Sequence, residues 1–241
     1  MDITNRKIVV VGGSSGMGLA IASAAQARGA EVVIVGRSVE RLEQAASEFA
    51  EADRVQTIAA DVTHEDDVSR LFTQVGSFDH LVITAVSNLT YMPIRDLDMD
   101  AARQTIEAKL VAALLLSKYA ARTINEHGSI TFTAGIAAER PIPTGFLVGA
   151  INGALFSLTY GLALALAPVR VNAISPGWVD TPPLEKIFGP RKAAAIEQLE
   201  QRLPTGRIGR PADIAHAVLF LLENEFTTGT VLPIDGGHRL V

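Results

Sequence analysis

The chain contains no cysteine among its 241 residues. This absence excludes disulfide bonds, thiolate metal ligands and a cysteine nucleophile. Histidine occurs at five scattered positions without the short spacing of metal-ligand pairs, so no metal site is predicted. These positions are His64, His80, His127, His216 and His238.

The chain also lacks a basic block, and its formal net charge is -5, which argues against a nucleic acid partner. It lacks a long hydrophobic run, because the longest, around residues 162–171, is too short and too alanine-rich to span a bilayer. The first six residues lack the apolar core of a signal peptide. These absences predict a cytoplasmic location and no membrane partner.

Hydrophobic residues make up 48% of the chain, enough to bury a substantial core. With no repeat, linker or low-complexity segment, residues 1–241 are predicted to form one α/β domain. Short β-branched runs alternate with longer helical stretches, which predicts a mostly parallel sheet with helices on both faces. The predicted strands are residues 8–11, 31–35, 55–59, 80–84, 129–133, 170–175 and 230–234.

The main predicted helices are residues 16–28, 100–125, 145–165 and 211–222. Ser38 is predicted to cap the helix after the second strand, and Thr63 to cap the acidic segment that follows strand three. The segment 182–203 is interrupted by prolines and contains a helical stretch. We predict that it forms a mobile flap over a pocket.

Residues 9–18 read V-V-V-G-G-S-S-G-M-G, where an apolar strand passes through glycines into a helix. Glycines let the backbone turn sharply and approach a bulky anion, which the free N–H groups of the first helical turn can bind. The spacing Gly12-x-x-x-Gly16-x-Gly18 differs from the commoner G-x-G-x-x-G of dinucleotide-binding folds. By itself this stretch is also compatible with a plain turn.

Several segments taken together resemble the short-chain dehydrogenase/reductase family. They are the glycine turn, Ala60–Thr63, Arg170–Gly177, Thr181 and Asp235–Gly237, and they follow the family's order along the whole chain. The resemblance implies a Rossmann-type, doubly wound sheet of seven strands in the order 3-2-1-4-5-6-7. It also implies a nucleotide cofactor at the point where the strand order reverses.

The residues after strand two predict which cofactor is bound. NAD-binding members carry a carboxylate there, whereas this chain reads Gly36-Arg37-Ser38. A guanidinium pairs with a phosphate, so NADP(H) is preferred over NAD(H) in this prediction. Arg37 is also compatible with a solvated surface cation, and Asp61, which the family places at the adenine, with a helix cap. The predicted cofactor-binding residues are Gly12, Ser14, Ser15, Gly16, Met17, Gly18, Arg37, Ser38, Asp61, Val62, Thr84, Ala85, Pro176, Gly177 and Thr181.

The family's catalytic Asn, Ser, Tyr and Lys are all replaced when the sequence is placed in the family's register. The corresponding residues, in that order, are Lys109, Gly135, Val148 and Asn152. The chain has only three tyrosines, at 91, 119 and 160, and only Tyr91 is followed by a basic residue four positions later, in a loop. A valine has no acidic proton to give to a developing alkoxide. The resemblance therefore implies an atypical active site.

Lysine and asparagine have exchanged places in this register. Lys109 lies on a helical stripe of apolar residues, namely Ala102, Ile106, Ala113 and Leu116. Burial on such a stripe lowers the pKa of an ammonium group and makes it a better acid. We predict Lys109 and Asn152 as catalytic residues, with Thr133 or a water as relay. Alternatively, Lys109 extends to solvent or only binds the cofactor ribose.

Two functions fit these observations. The first is an NADP(H)-dependent oxidoreductase acting on a small-molecule carbonyl, alcohol or activated C=C. The second is a catalytically inactive NADP-binding sensor or partner subunit. The family also implies a homodimer or homotetramer through the long helices after strands four and five, which are rich in small apolar residues. Those residues are Ala112, Ala113, Leu114, Ala150, Gly153 and Ala154.

Overall fold

The β-branched runs form one parallel sheet with the strand order β3-β2-β1-β4-β5-β6-β7, as predicted. The computed structural model describes residues 2–84 and 89–241. The strands are β1 Lys7–Val11, β2 Glu31–Gly36, β3 Val55–Ala59, β4 Phe78–Ile83, β5 Ile124–Thr133, β6 Arg170–Pro176 and β7 Val231–Ile234. The fold is therefore the Rossmann-type doubly wound sheet.

Helices cover both faces of this sheet because its strands carry apolar side chains on both sides. Val9 belongs to the core cluster that contains residues of α3 and α5, and Val10 to the cluster that contains residues of α1 and α9. The helices are α1 Gly16–Gln26, α2 Val39–Ala46, α3 Glu65–Val75, α4 Met99–Ile106, α5 Ala112–Ala120, α6 Phe146–Ala165, α7 Pro182–Phe188, α8 Lys192–Arg202 and α9 Pro211–Glu223.

Two predicted boundaries were wrong. The helix expected over residues 100–125 ends at Ala120, and β5 begins at Ile124, because Ile124 pairs with Phe78 of β4. The cap of α3 is His64 rather than Thr63, whose hydroxyl instead donates to Asp61 Oδ1 at 2.7 Å. Ser38 does cap α2, since its side chain accepts from the Arg41 backbone N–H at 3.2 Å.

The carboxyl ends of β1, β4, β5 and β6 meet at one edge of the sheet because neighbouring strands are parallel. The strand order reverses between β1 and β4, which is where a doubly wound sheet opens a crevice for a ligand. The glycine turn, Thr84, Gly135 and Pro176 each lie at or just beyond a strand end on this edge.

Helix α6 is long and apolar enough, by length and composition alone, to cross a membrane, and 33% of its apolar window is buried within the fold. It packs against β6 and the short 3-10 turn Ile136–Ala138 at the edge described above. Its other side carries exposed Tyr160 and Leu164.

Candidate active site

The glycine turn after β1 is held in close contact with the first turn of α1. A Cβ on Gly18 would lie 2.2 Å from the Gly12 carbonyl oxygen, so a larger residue cannot occupy position 18 without moving the turn. Thr84 at the end of β4 fixes the same turn, because its hydroxyl donates to the Val11 carbonyl at 3.0 Å. The sequence therefore needs glycine here for a close backbone approach.

The N-terminus of α1 is open to an anion. Within the described chain, the Ser15 side chain makes no capping hydrogen bond, and the first turn contains no acidic residue. The N–H groups of that turn therefore remain available for a phosphate. Thr181 lies over the turn, with its Cγ2 3.5 Å from where a Cβ of Gly16 would be, so the start of α7 faces the same space.

Charged residues from the next two loops converge beside this turn. Arg37, exposed after β2, acts electrostatically on Asp61, which follows β3. Burial tends to raise the pKa of Asp61, but hydrogen bonds from Thr63 and the charges of His64 and Arg37 lower it below its ordinary value. Asp61 therefore carries its charge near Arg37, and the predicted helix-cap role for it is not observed.

The other predicted cofactor residues contribute in different ways. Ser14 Oγ lies 3.5 Å from the Cβ position of Gly36, so the turn contacts the end of β2. Met17 packs against the core cluster that contains residues of α1 and α9, and Val62 is buried in the cluster that contains residues of α3 and α5. Gly177 packs against Asp235, whose Cα lies 2.9 Å from its Cβ position. Ala85 lies outside the described residues. The set fits a dinucleotide cofactor at the point where the strand order reverses.

Lys109 and Asn152 meet at the carboxyl end of β5. The Lys109 ammonium donates to Asn152 Oδ1 at 2.6 Å and to the Ala134 carbonyl at 3.0 Å, and Asn152 Nδ2 donates to the Gly135 carbonyl at 3.0 Å. Lys109 is 6% exposed and Asn152 is 2% exposed. Lys109 therefore does not extend to solvent, and the exchanged pair forms one hydrogen-bonded unit.

Burial lowers the pKa of Lys109 to about 8. Both groups that accept its protons are neutral, and no carboxylate pairs with it in the part of the chain that the structure describes. An ammonium without a counter-ion in a dry site gives up its proton more readily than one in water. Lys109 is thus suited to donate a proton near neutral pH.

Lys109 is positioned by a single π-helical turn. Sequence periodicity did not predict this turn. Residues 107–111 form this turn between α4 and α5, and Lys109 is its central, buried residue. Such insertions are rare and occur often at functional sites. The extra residue changes which side chains face the sheet, and the apolar stripe alone could not reveal it.

Gly135 and Val148, which the sequence register predicted at the positions of the family's serine and tyrosine, carry no hydroxyl. Gly135 has φ 149° and ψ 157°, a region reserved for glycine, and a Cβ there would lie 3.0 Å from Asn152 Nδ2. Val148 is buried in α6. The local backbone and the Asn152 amide therefore occupy the space that a serine side chain would need.

The structure does not bring Thr133 to the pair. Its neighbours Phe132 and Ala134 belong to the core cluster with α5, and side chains alternate along a strand, so Thr133 points to the opposite face of the sheet. Its buried hydroxyl has no hydrogen-bond partner among the described residues. The predicted relay through Thr133 is therefore not supported by this geometry.

Tyr91 lies closer to the site than its loop position suggested. The Met92 backbone N–H donates to the Thr144 carbonyl at 3.0 Å, which joins this loop to the start of α6. The Tyr91 ring lies 3.4 Å from the Cβ position of Gly145, one helical turn before Val148, and burial raises its pKa. The Tyr91 ring therefore packs at the start of α6, one helical turn before Val148, a contact that the sequence did not predict.

Comparison with known proteins gives consistent matches over nearly the whole chain. A family model described as enoyl-(acyl carrier protein) reductase matches residues 11–239. The chain is 33% identical to the short-chain dehydrogenase/reductase ATR9 of Stachybotrys chlorohalonatus, over 99% of this chain and 98% of that protein. The structure of the MalC reductase/Diels-Alderase from Malbranchea aurantiaca has a TM-score of 0.92 at 28% identity, covering 99% of this chain and 98% of that chain. A small-chain dehydrogenase crystallised in complex with NADPH has a TM-score of 0.84 at 31% identity, covering 98% and 100%.

Proposed function

The chain belongs to the short-chain dehydrogenase/reductase family of NAD(P)H-dependent oxidoreductases, and we propose that it is an NADP(H)-dependent member with a lysine-centred active site. Its substrate is a small carbonyl compound, the corresponding alcohol, or an activated C=C. The observation that carries the proposal is the buried Lys109–Asn152 pair at the edge where the sheet opens.

Lys109 and Asn152 have separate roles in the proposed carbonyl reduction. NADPH, when bound, supplies hydride to the carbonyl carbon. The carbonyl oxygen then takes one proton from the Lys109 ammonium, and the resulting amine regains a proton from water. Asn152 holds the lysine in place, because its Oδ1 accepts from Nζ while its Nδ2 is anchored on Gly135. Positioning next to the cofactor supplies much of the remaining rate.

Arg37, which is exposed after β2 and acts electrostatically on Asp61, supports the proposed preference for NADP(H). A related dehydrogenase crystallised with NADPH supports this choice. We expect NADPH to bind roughly tenfold more tightly than NADH, the effect of a charge-assisted phosphate contact. Titration by cofactor fluorescence measures both affinities.

Arg37→Gln should remove this preference by weakening NADPH and leaving NADH unchanged. Arg41→Gln, which neutralises a neighbouring exposed arginine on α2, is the matched control and should keep the preference. Equal affinities of the unchanged protein for the two cofactors would overturn the NADP(H) assignment.

A second function, cofactor binding without turnover, is favoured by one observation. In the described part of the chain, no hydroxyl donates to Lys109 or Asn152, and Val148 presents only methyl groups. A panel of carbonyl and enone compounds, tested with saturating NADPH, separates the two functions. Cofactor binding with no turnover across the panel would favour the sensor or partner subunit.

A further inference from the structure

The Lys109 amine has two hydrogen-bond partners among the described residues, and both are acceptors. They are Asn152 Oδ1, which lies 2.6 Å from Nζ, and the Ala134 carbonyl, which lies 3.0 Å from it. Asn152 keeps this orientation because its Nδ2 donates to the Gly135 carbonyl at 3.0 Å. Two acceptors match the two N–H bonds of a neutral amine, whereas an ammonium carries a third. The neutral form is therefore satisfied here, and the described chain donates no hydrogen bond to its lone pair.

The side chains around the amine are apolar. Val148, one helical turn before Asn152 on α6, is 3% exposed, and Ala112 and Ala113, which follow the π-helical turn, are also buried. Burial is the one cause that lowers the pKa of Lys109 to about 8, so no charged side chain of the described helices and strands contributes to it. A desolvated lysine with a free lone pair is the form that attacks carbonyl groups.

Two other lysines of the chain differ from Lys109 in this respect. Lys118 pairs with Glu65, and Lys192 pairs with two carboxylates. Hydrogen bonds to these carboxylates are the largest cause that raises the pKa of both lysines. Their nitrogen lone pairs are therefore protonated at neutral pH, which leaves Lys109 as the strongest nucleophile of the three.

The amine lies at the ligand-binding edge of the sheet. Ala134 and Gly135 directly follow β5, at the edge where the carboxyl ends of the parallel strands meet. Gly135 is partly exposed and has no side chain to cover the Asn152 amide. The amine is therefore presented at the end of the sheet that doubly wound folds use for ligands.

We propose that Lys109 is also a nucleophile, and that its amine captures aldehydes as a Schiff base. The nitrogen lone pair forms a bond to the carbonyl carbon, the C=O bond breaks, and the two N–H hydrogens leave with the oxygen as water. No group is oxidised or reduced, and water reverses the reaction. Aldehydes are favoured over ketones because a hydrogen atom in place of a second carbon substituent crowds a buried amine less. The inference rests on the proposed function only in bringing a carbonyl group to Lys109, and it requires no cofactor.

Reductive trapping with benzaldehyde and cyanoborohydride, without NADPH, tests this inference. Cyanoborohydride adds hydride to the imine carbon and leaves a stable benzyl group, which mass spectrometry of the digested protein assigns to a residue. At neutral pH we expect Lys109 to be labelled at least about tenfold faster than Lys118, because a much larger fraction of Lys109 is neutral. The rate at Lys109 should rise as the pH increases through about 8 and then level off, opposite to a reduction that needs the ammonium.

Benzyl alcohol, which matches benzaldehyde in shape but has no carbonyl group, should leave Lys109 unlabelled. Lys109→Arg keeps a cation that cannot form the imine, so the fast phase of benzyl incorporation should disappear while Lys118 is labelled as before. Equal labelling of Lys109 and Lys118 in the unchanged protein, or labelling of Lys118 alone, would overturn the inference. The proposed function is tested separately, since labelling at Lys109 without any reduction of carbonyl compounds by NADPH would support the Schiff base and count against the reductase.

Discussion

Lys109 is an unusual residue to find buried, because no carboxylate in the described chain balances its charge. Burying an unpaired cation is costly, and such a group is retained where it serves a purpose. Its neighbours hold it by neutral oxygens only, which leaves its pKa near the pH of the cell. A structural lysine would gain more from a carboxylate partner, so we assign this one to chemistry.

Gly135 provides a test of the proposed lysine-centred site. Gly135→Ser introduces the serine that the family resemblance implies for this position, but the backbone there has φ 149°, and the new Cβ would lie 3.0 Å from Asn152 Nδ2. We expect the free energy of unfolding to fall by about 2 kcal/mol and turnover not to rise. Urea unfolding of the variant, with Gly153→Ser in open space as control, measures the loss.

A gain of activity in Gly135→Ser without loss of stability would show that the site still accepts the family's serine. The sequence register predicted glycine at the position of the family's serine. The backbone geometry that opposes a serine there could not be predicted, because φ depends on how the loop after β5 packs against Asn152 and Pro176.

At the scale of elements, the sequence predicted the strands well and the long helix less well. The apolar spacing around Lys109 correctly indicated a buried face, since residues three and four apart share a side of a helix. It did not reveal the π-helical turn at residues 107–111 or the helix end at Ala120. The helix end is set by the pairing of Ile124 with Phe78 of β4, and the π-helical turn packs against α6. Local periodicity encodes neither contact.

His80 on β4 makes the pairing of β4 with β5 sensitive to acid. Its ring is 1% exposed, Nδ1 lies 2.9 Å from Ser129 Oγ, and burial is the main cause that lowers its pKa from 6.5 to about 4. Between pH 6.5 and about 4, His80 is therefore protonated in the unfolded chain and neutral in the folded chain. We expect the contribution of His80 to the free energy of unfolding to be complete above pH 6.5 and to fall by about 3 kcal/mol as the pH drops toward 4.

His80→Gln should reduce the uptake of protons on unfolding by about one between pH 6.5 and 4, so that the free energy of unfolding depends less on pH. His127→Gln removes an exposed histidine and serves as control. Denaturant unfolding at several pH values measures the slope of the free energy of unfolding against pH. An unchanged slope in His80→Gln would mean that other groups cause the loss of stability in acid.

At the scale of the whole molecule, alternating β-branched and helical segments predicted a mostly parallel sheet, and the family resemblance implied its strand order. The contact between the Trp178 and Phe188 rings, whose centroids lie 5.3 Å apart, was not predictable, because it forms between the loop after β6 and the end of α7.

The exposed side of α6 leads us to propose a homodimer or homotetramer. Leu164 is 84% exposed and Tyr160 50%, on an apolar helix of which one third is buried within the fold. Leu164→Glu should shift the protein toward monomer in sedimentation velocity, since a charge cannot be buried unpaired at an interface. Ile94→Glu, at another exposed apolar residue, is the control and should leave the assembly unchanged. A protein that is already monomeric would contradict this proposal.

The central claim is that the Lys109 ammonium donates the proton, and the pH profile of carbonyl reduction tests it most directly. With NADPH saturating, kcat should be constant below pH 8 and fall as the pH rises through about 8, where the ammonium is lost. Lys109→Met should lower kcat about 100-fold and remove this dependence. Lys118→Met, which removes an exposed lysine paired with Glu65, should retain both the rate and the profile. Unchanged turnover and an unchanged NADPH affinity in Lys109→Met would contradict the claim.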